Sequence, residues 1–211
     1  MQNFKEIIKA ILAGGAISLG GLAFICCQNQ IIGSLFFVVG LFLVLVANLN
    51  LFTGKICYIC DNPKLEFVET LIVVYLGNLI GCYIFGSLLQ ISKFTDLATI
   101  FKATLDARMN RQWYEIIILG VFCNLCIFIA VKGYSQNKEI WKKILSLFFG
   151  VSVFVLCGFE HCVADMFYIT FCQSWSIKSV GFILLVTLGN IIGGFLCSSF
   201  ETIFFQKDAE R

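Results

Sequence analysis

Six apolar stretches dominate this chain, and two of them are too long for a single membrane crossing. A spanning helix needs ~20 mostly apolar residues. The candidates are Ile7–Cys27, Ile31–Cys60, Phe67–Ile91, Trp113–Gly133, Trp141–Phe171 and Ile177–Phe205. The second is interrupted by ANLNLFTGK at Ala47–Lys55, and the fifth by GFEHCVAD at Gly158–Asp165. Polar residues and glycine in mid-segment predict backbone that leaves the helix. Such backbone is tolerated at membrane depth only where protein or a water-filled cavity surrounds it. With 59% hydrophobic and 13% charged residues, the chain is far more apolar than a soluble domain. The class is an all-α, polytopic membrane protein whose first partner is the lipid bilayer. A formal charge of +2 without a basic aromatic patch gives no sign of nucleic acid.

The two interruptions fall in corresponding places, in the second helix of the first three and of the last three. The third and sixth helices also share a pattern: LGNLIG at Leu76–Gly81 matches LGNIIG at Leu188–Gly193. With three helices per half, equivalent helices run in opposite directions. This is the pattern of an inverted repeat with a solute site at the repeat interface. The expected organisation is one transmembrane domain, 1–211, with repeats at about 1–91 and 112–205 joined by 92–111. In that linker, Leu97, Ile100, Phe101 and Leu105 among mixed charges predict a short amphipathic helix on the outer surface.

The N-terminal run extends to Cys27 behind charges of mixed sign, so it reads as a first membrane helix rather than a cleaved signal. With the N-terminus inside, cytoplasmic segments hold Lys5, Lys9, Lys55, Lys64, Lys132, Lys138, Lys142, Lys143, Lys207 and Arg211. Outer segments hold Lys93, Lys102, Arg108, Arg111 and Lys178. That excess predicts both termini in the cytoplasm and a multi-pass protein of the cytoplasmic membrane. Trp113, Trp141 and Trp175 stand near helix ends and read as interface anchors. The tail Gln206–Arg211 and the segment before Lys9 are short, which argues against gating by a long terminal helix.

Gly158–Phe167, GFEHCVADMF, places Glu160, His161 and Asp165 inside the fifth apolar segment, and His161 is the only histidine. Ionisable groups at such depth are costly and usually mark a solute or proton path. Of the eleven cysteines, Cys26, Cys27, Cys82, Cys123, Cys126, Cys157, Cys162 and Cys197 lie within apolar runs and read as small hydrophobes. Cys57/Cys60 and Cys123/Cys126 form CxxC pairs, but zinc normally takes four ligands and a thioredoxin-like pair sits in a soluble βαβ unit. No metal, cofactor or catalytic group is expected. Redox sensing at Cys57 and Cys60 is the minor alternative.

These segments resemble the formate/nitrite transporter family along nearly the whole chain. The resemblance rests on KAILAGGAISLGG, GLFLVLVANLNLFTG, the two GN motifs, CNLCIFIAV and GFEHCVADMF. LFTG together with GFEHxxAxMF is specific; the LGN motifs alone are weak. The resemblance implies aquaporin-like six-helix protomers in a homopentamer, with a pore through each protomer for formate, nitrite, hydrosulfide or a similar small monovalent anion, with protons. It implies Thr53 and His161 at the pore centre, and Asp165 is expected there with them. Leu41, Leu51 and Phe52 then form the cytoplasmic-side constriction, Phe37 and Phe154 the opposite one, and Lys9 and Lys143 the vestibule charge. Asp165 departs from the family, which commonly has asparagine there.

The implied mechanism moves an anion across an apolar tube without stripping it of water as an ion, which is costly. Lys9 and Lys143 would raise the local anion concentration. Desolvation would make the anion more basic until it takes a proton and crosses the Leu/Phe rings as neutral acid. Two readings of His161 stand: proton donor, or orienting group bonded to Thr53. Asp165 either pairs with His161, four residues away, or faces a vestibule or the loop. Glu160 is expected to accept backbone N–H groups at the break. Asn78, Asn124 and Asn190 are expected to cap loops or join helices. Alternatives to anion transport are an aquaporin-like pore for a neutral solute, with Asp165 as its best support, and a membrane thiol oxidoreductase using the CxxC pairs. The only proline, Pro63, leaves no room for the Asn-Pro-Ala loops of aquaporins.

Overall fold

The structure is a computed structural model. It describes residues 2–203, with side chains from residue 4 onward. Phe205, Lys207, Arg211 and the tail Gln206–Arg211 lie outside the described residues. The described chain is helical: α1 (Gln2–Cys26), α2 (Gln30–Val46), α3 (Phe52–Ile56), α4 (Leu65–Gln90), α5 (Thr95–Met109), α6 (Trp113–Gln136), α7 (Ile140–Leu156), α8 (Cys162–Phe171) and α9 (Ile177–Glu201). Four of these, α1, α4, α6 and α9, are long and apolar enough to cross a membrane unaided. The second and fifth predicted segments each divide, into α2 plus α3 and α7 plus α8.

Helix pairing is alike in the two halves. α1 packs on α2 and α4, as α6 packs on α7 and α9. α2 meets α7 at the centre, α8 packs against α4, and α3 against α9. Small residues permit the close crossings, as they do between membrane helices generally. A Cβ on Gly81 would collide with the carbonyl of Ile11, and one on Gly193 with the carbonyl of Val121. The two GN motifs therefore hold the same place, pressed against the first helix of each half. Outward faces carry exposed apolar side chains such as Leu12, Ile72, Ile80, Phe122 and Leu184, a surface suited to lipid. Every residue of α8 is buried. A helix of ten residues cannot span a bilayer, and here protein surrounds it.

The linker helix α5 buries Ala98, Phe101, Leu105 and Met109. Leu97 is half-buried and Ile100 points outward at 73% exposure, contrary to expectation. The stripe runs through 98, 101, 105 and 109 because a helical period of 3.6 puts Ile100 on the far side. At the opposite end of the molecule, Lys132 of α6 is 4% exposed. Its ammonium lies 2.7 Å from Asp61 and 2.6 Å from Glu201, so it ties the turn after α3 to the end of α9.

Candidate functional site

The site grows from the two helix breaks. Each first half-helix ends at a residue in the left-handed region, Asn48 (φ 50°) in one case and Gly158 (φ 67°) in the other. Glycine adopts that region freely, and asparagine is among the residues that tolerate it. The chain then runs extended through Leu51 (φ −101°, ψ 128°) and His161 (φ −114°, ψ 109°) before re-entering helix. Leaving a helix strands backbone donors and acceptors. Two buried asparagines satisfy them. Asn78 Oδ1 accepts from the Phe52 N–H at 2.9 Å, while its amide donates to the carbonyls of Ala10 and Asn50, both at 2.8 Å. Asn190 Oδ1 accepts from the Cys162 N–H at 3.0 Å and donates to the carbonyls of Gly120 at 2.8 Å and Glu160 at 2.9 Å. Asn124, the third predicted amide, donates to the Thr53 carbonyl at 3.4 Å and so holds α3.

The breaks bring Thr53 and His161 together. Thr53 Oγ1 is 2.8 Å from His161 Nε2, and both side chains are buried. His161 Nδ1 accepts the Ala164 N–H at 3.1 Å, which makes the imidazole the N-cap of α8. A nitrogen that accepts carries no proton. The neutral ring therefore bears its hydrogen on Nε2 and donates it to Thr53.

A chamber opens on each side of this pair. The chamber on the α5 side has a volume of about 370 Å³ and reaches His161, Phe37, Phe154, Arg108 and Tyr168. Phe37 and Phe154 meet edge to face with centroids 5.6 Å apart, and Phe154 stacks on His161 at 5.6 Å. The chamber on the α3 side, about 520 Å³, is bounded by Leu41, Leu51, Gly54, Lys55 and Lys143 among others. Phe37 and Phe154 line the first chamber, and Leu41 and Leu51 line the second.

Four expectations need correction. Phe52 does not line the α3-side chamber; it packs edge to face on Tyr75 at 4.9 Å, because its backbone is pinned to Asn78 on α4. Lys9 does not line it either; it points out beside Glu6 at 3.4 Å, and Lys55 takes that place. Glu160 accepts no backbone N–H, since the asparagines already do so; its carboxylate binds Arg108 and Arg111. Asp165 does not pair with His161 or line a chamber; of its readings the one toward the loop fits, since it shares Arg108 with Glu160. One of its oxygens lies 2.7 Å from the Arg108 guanidinium. In α8 the His161 ring is turned back to cap its own helix, whereas Asp165 faces α5.

Arg108 and Arg111 were not legible as site residues from the sequence, although two cations three residues apart in a linker opposite two buried acids are a signal. Glu160 and Asp165 are fully buried, and the Arg108 side chain is 14% exposed. Burial of Arg108 works against its charge, but the carboxylates of Asp165 and Glu160 outweigh that and raise its pKa above the ordinary range. The cysteines of the first CxxC pair serve locally: Cys57 Sγ donates to the Thr53 carbonyl at 3.4 Å, and Cys60 meets Ser198 and Ser199.

This arrangement has relatives. A formate channel FocA of Haemophilus influenzae is 26% identical over 240 residues, covering 93% of this chain and 84% of that one. An uncharacterised transporter, YrhG, of Bacillus subtilis is 29% identical over 199 residues, covering 87% and 75%. Among solved structures, a pentameric formate channel with formate bound aligns with a TM-score of 0.79 at 23% identity, over 100% of this chain and 98% of that one. A second, an ion channel of the same family, aligns with a TM-score of 0.78 at 19% identity, over 95% and 88%. The fold is that of these channels. The family profile of formate/nitrite transporters matches residues 1–203, and the chain, a membrane protein, belongs to that family.

Proposed function

We propose that this protein carries small monovalent anions of weak acids, such as formate, nitrite or hydrosulfide, across the cytoplasmic membrane as a homopentamer, without chemical turnover. The excess of lysine and arginine on the α3 side supports a cytoplasmic α3 side and cytoplasmic termini. The two halves act as an inverted repeat, about 1–91 and 112–205, whose breaks meet at the pore. The observation that carries the reading is the bonded Thr53–His161 pair between two polar-mouthed chambers, flanked by Phe37 and Phe154 on one side and Leu41 and Leu51 on the other.

An anion drawn toward the centre loses water and becomes more basic. It takes a proton and passes the apolar rings as neutral acid. The Nδ1 bond to Ala164 supports an orienting role for His161 over proton donation. A ring that gave up its Nε2 proton would have to gain one at Nδ1, where an N–H already points at it. Water then supplies the proton, and Thr53 and His161 offer polar contact midway. The neutral-solute alternative loses its main support, because Asp165 is held by Arg108 rather than facing the path.

Uptake into proteoliposomes, compared among formate, nitrite, hydrosulfide and chloride across pH, tests the proposal. Flux of the weak-acid anions should rise with acidity while chloride stays near background. Chloride flux equal to that of formate would sink the protonation route.

A further inference from the structure

Behind the arginines of the α5-side chamber stand two carboxyl groups that the proposed path does not touch. Glu160 and Asp165 are both fully buried, and neither lines a chamber. Their partners are unequal. Glu160 accepts from Arg108 Nε at 3.1 Å, from Arg108 Nη2 and from Arg111 Nη1. Asp165 accepts one bond, at Oδ1 from Arg108 Nη2 at 2.7 Å, and its buried Oδ2 has no hydrogen-bond partner among the described residues. Yet the Asp165 carboxyl lies within hydrogen-bond reach of the Glu160 carboxyl. Two carboxylates in contact offer each other only lone pairs, and a proton between them turns the clash into a bond. Like charges held so close do not both ionise. The other ionisable neighbours are Cys123 of α6 and, on α8 itself, Cys162 and Tyr168, with Cys82 of α4 beyond Cys162. Thiols and phenols are ordinarily neutral at neutral pH, so the charge in this cluster comes from the two arginines and the two acids.

We infer that Glu160 and Asp165 share one proton, which Asp165 carries and donates to Glu160, and that the pair is a proton-binding site in the wall of the α5-side chamber. Glu160 is the ionised member, because three guanidinium N–H groups hold its charge. Asp165 is the acid, because a proton gives its unpartnered oxygen a bond to make. The Arg111 side chain is 35% exposed, so the cluster reaches water on the α5 side, the source of the proton. With the proton bound, two guanidinium charges face one carboxylate, and the wall carries one net positive charge. When the proton leaves, Asp165 becomes a second counter-ion, and the wall is neutral. Arg108 and Arg111 both line the chamber. An anion in the chamber and the proton behind it therefore favour each other, and by the same factor in either direction. This effect on flux rests on the transport reading above; the proton site itself does not.

The test compares the wild type with Asp165→Asn, whose amide keeps the shape and the donor but cannot titrate. Infrared spectra of the two purified proteins in ester-free detergent at neutral pH should differ by the carbonyl stretch of one protonated carboxyl, present in the wild type and absent from the variant. The melting temperature should move by less than about 3 °C. A difference spectrum that shows carboxylate bands in place of that carbonyl, or a fall in melting temperature as deep as that of Arg108→Gln, overturns the shared proton. Formate uptake into right-side-out membrane vesicles, with the α5 side outward on the orientation proposed above, reads the link to the chamber. As the medium is made alkaline at fixed internal pH and the wild-type carbonyl band fades, uptake by Asp165→Asn should exceed that of the wild type by about fivefold, the lower end for coupled sites. Equal uptake by the two proteins while the band fades overturns the link. Absence of formate, nitrite and hydrosulfide flux in both proteins overturns the transport reading, and the spectra then decide the proton site alone.

Discussion

The break at Asn48–Leu51 and the break at Gly158–His161 solve one problem with different materials. Both interrupt a helix that starts at one face, both turn through a left-handed residue, and both hand their loose backbone groups to an asparagine on a neighbouring long helix. They differ in what the loop itself carries. In the first, the residue before the extended position is Asn50, whose neutral amide reaches Glu6 on α1. In the second it is Glu160, a buried carboxylate held by two arginines from the linker. The first loop presents Leu51, which caps nothing. The second presents His161, which caps α8 and meets Thr53. Backbone satisfaction is thus common to both, while charge and the central polar group belong to one.

The largest expected effect breaks the charged loop. Arg108→Gln would leave Glu160 and Asp165 buried with only the more exposed Arg111 opposite. Removing one partner of a buried ion pair typically costs about 3–5 kcal/mol. Thermal unfolding of the detergent-solubilised protein should fall sharply, and Arg108→Gln combined with Asp165→Asn should recover part of the loss. Arg111, 35% exposed in its side chain, should cost far less as Arg111→Gln, about 1 kcal/mol or below. In the neutral loop, Asn50→Ala should also be mild. A wild-type melting profile for Arg108→Gln would show that the ion cluster does not hold the second break.

The asparagines should instead be equal. Asn78→Ala and Asn190→Ala each delete one accepted and two donated bonds at a buried site. A buried group left without its partner costs about 1–3 kcal/mol. Both variants should lose stability to a similar degree, and Asn→Asp at either position should not rescue, since it keeps the acceptor and loses both donors. A large loss at one site with none at the other would dissolve the common part of the comparison.

Much of this was readable from residues because the signals are local. The apolar run lengths gave six crossings, the polar interruptions gave the two breaks within a few residues, and the two GN motifs gave the asparagines their matching places. What escaped depends on direction. Phe52 and Lys9 lie in the right motifs, but helix phase and the Asn78 bond turn them away from the chamber. Lys55, one turn along the same short helix as Leu51, points in. Arg108 sits 52 positions before Glu160, so nothing in the local pattern of GFEHCVAD could announce the partner that sets the state of its acids. His161 and Asp165 stand one turn apart, yet the capping bond turns the imidazole back along its own helix, away from Asp165.

A smaller effect separates the two caps. His161→Ala should remove the side-chain cap of α8, worth about 1 kcal/mol, whereas Leu51→Ala removes no cap and costs stability only through lost apolar contact. The tautomer gives this a spectroscopic readout. With ¹⁵N-labelled histidine, His161 should show a bonded Nε2–H and an unprotonated Nδ1 at neutral pH. A protonated Nδ1 would remove the capping bond and reopen direct proton donation.

The smallest effect concerns the turning residues. At Gly158 the chain has φ 67°, and a Cβ built there meets no atom within 4 Å. Gly158→Ala therefore isolates backbone conformation from packing. Left-handed geometry costs an L-residue about 1–2 kcal/mol, offset in part because alanine restricts the unfolded chain. A net loss near 1 kcal/mol is expected. Asn48→Gly should be close to neutral, since asparagine already tolerates φ 50° and glycine adopts it freely. The decisive pair is Gly158→Asn. If the second break needs only a left-handed residue, as the first does, asparagine should do better than alanine there. If Gly158→Asn is worse than Gly158→Ala, the second turn requires glycine for a reason that the first turn does not share.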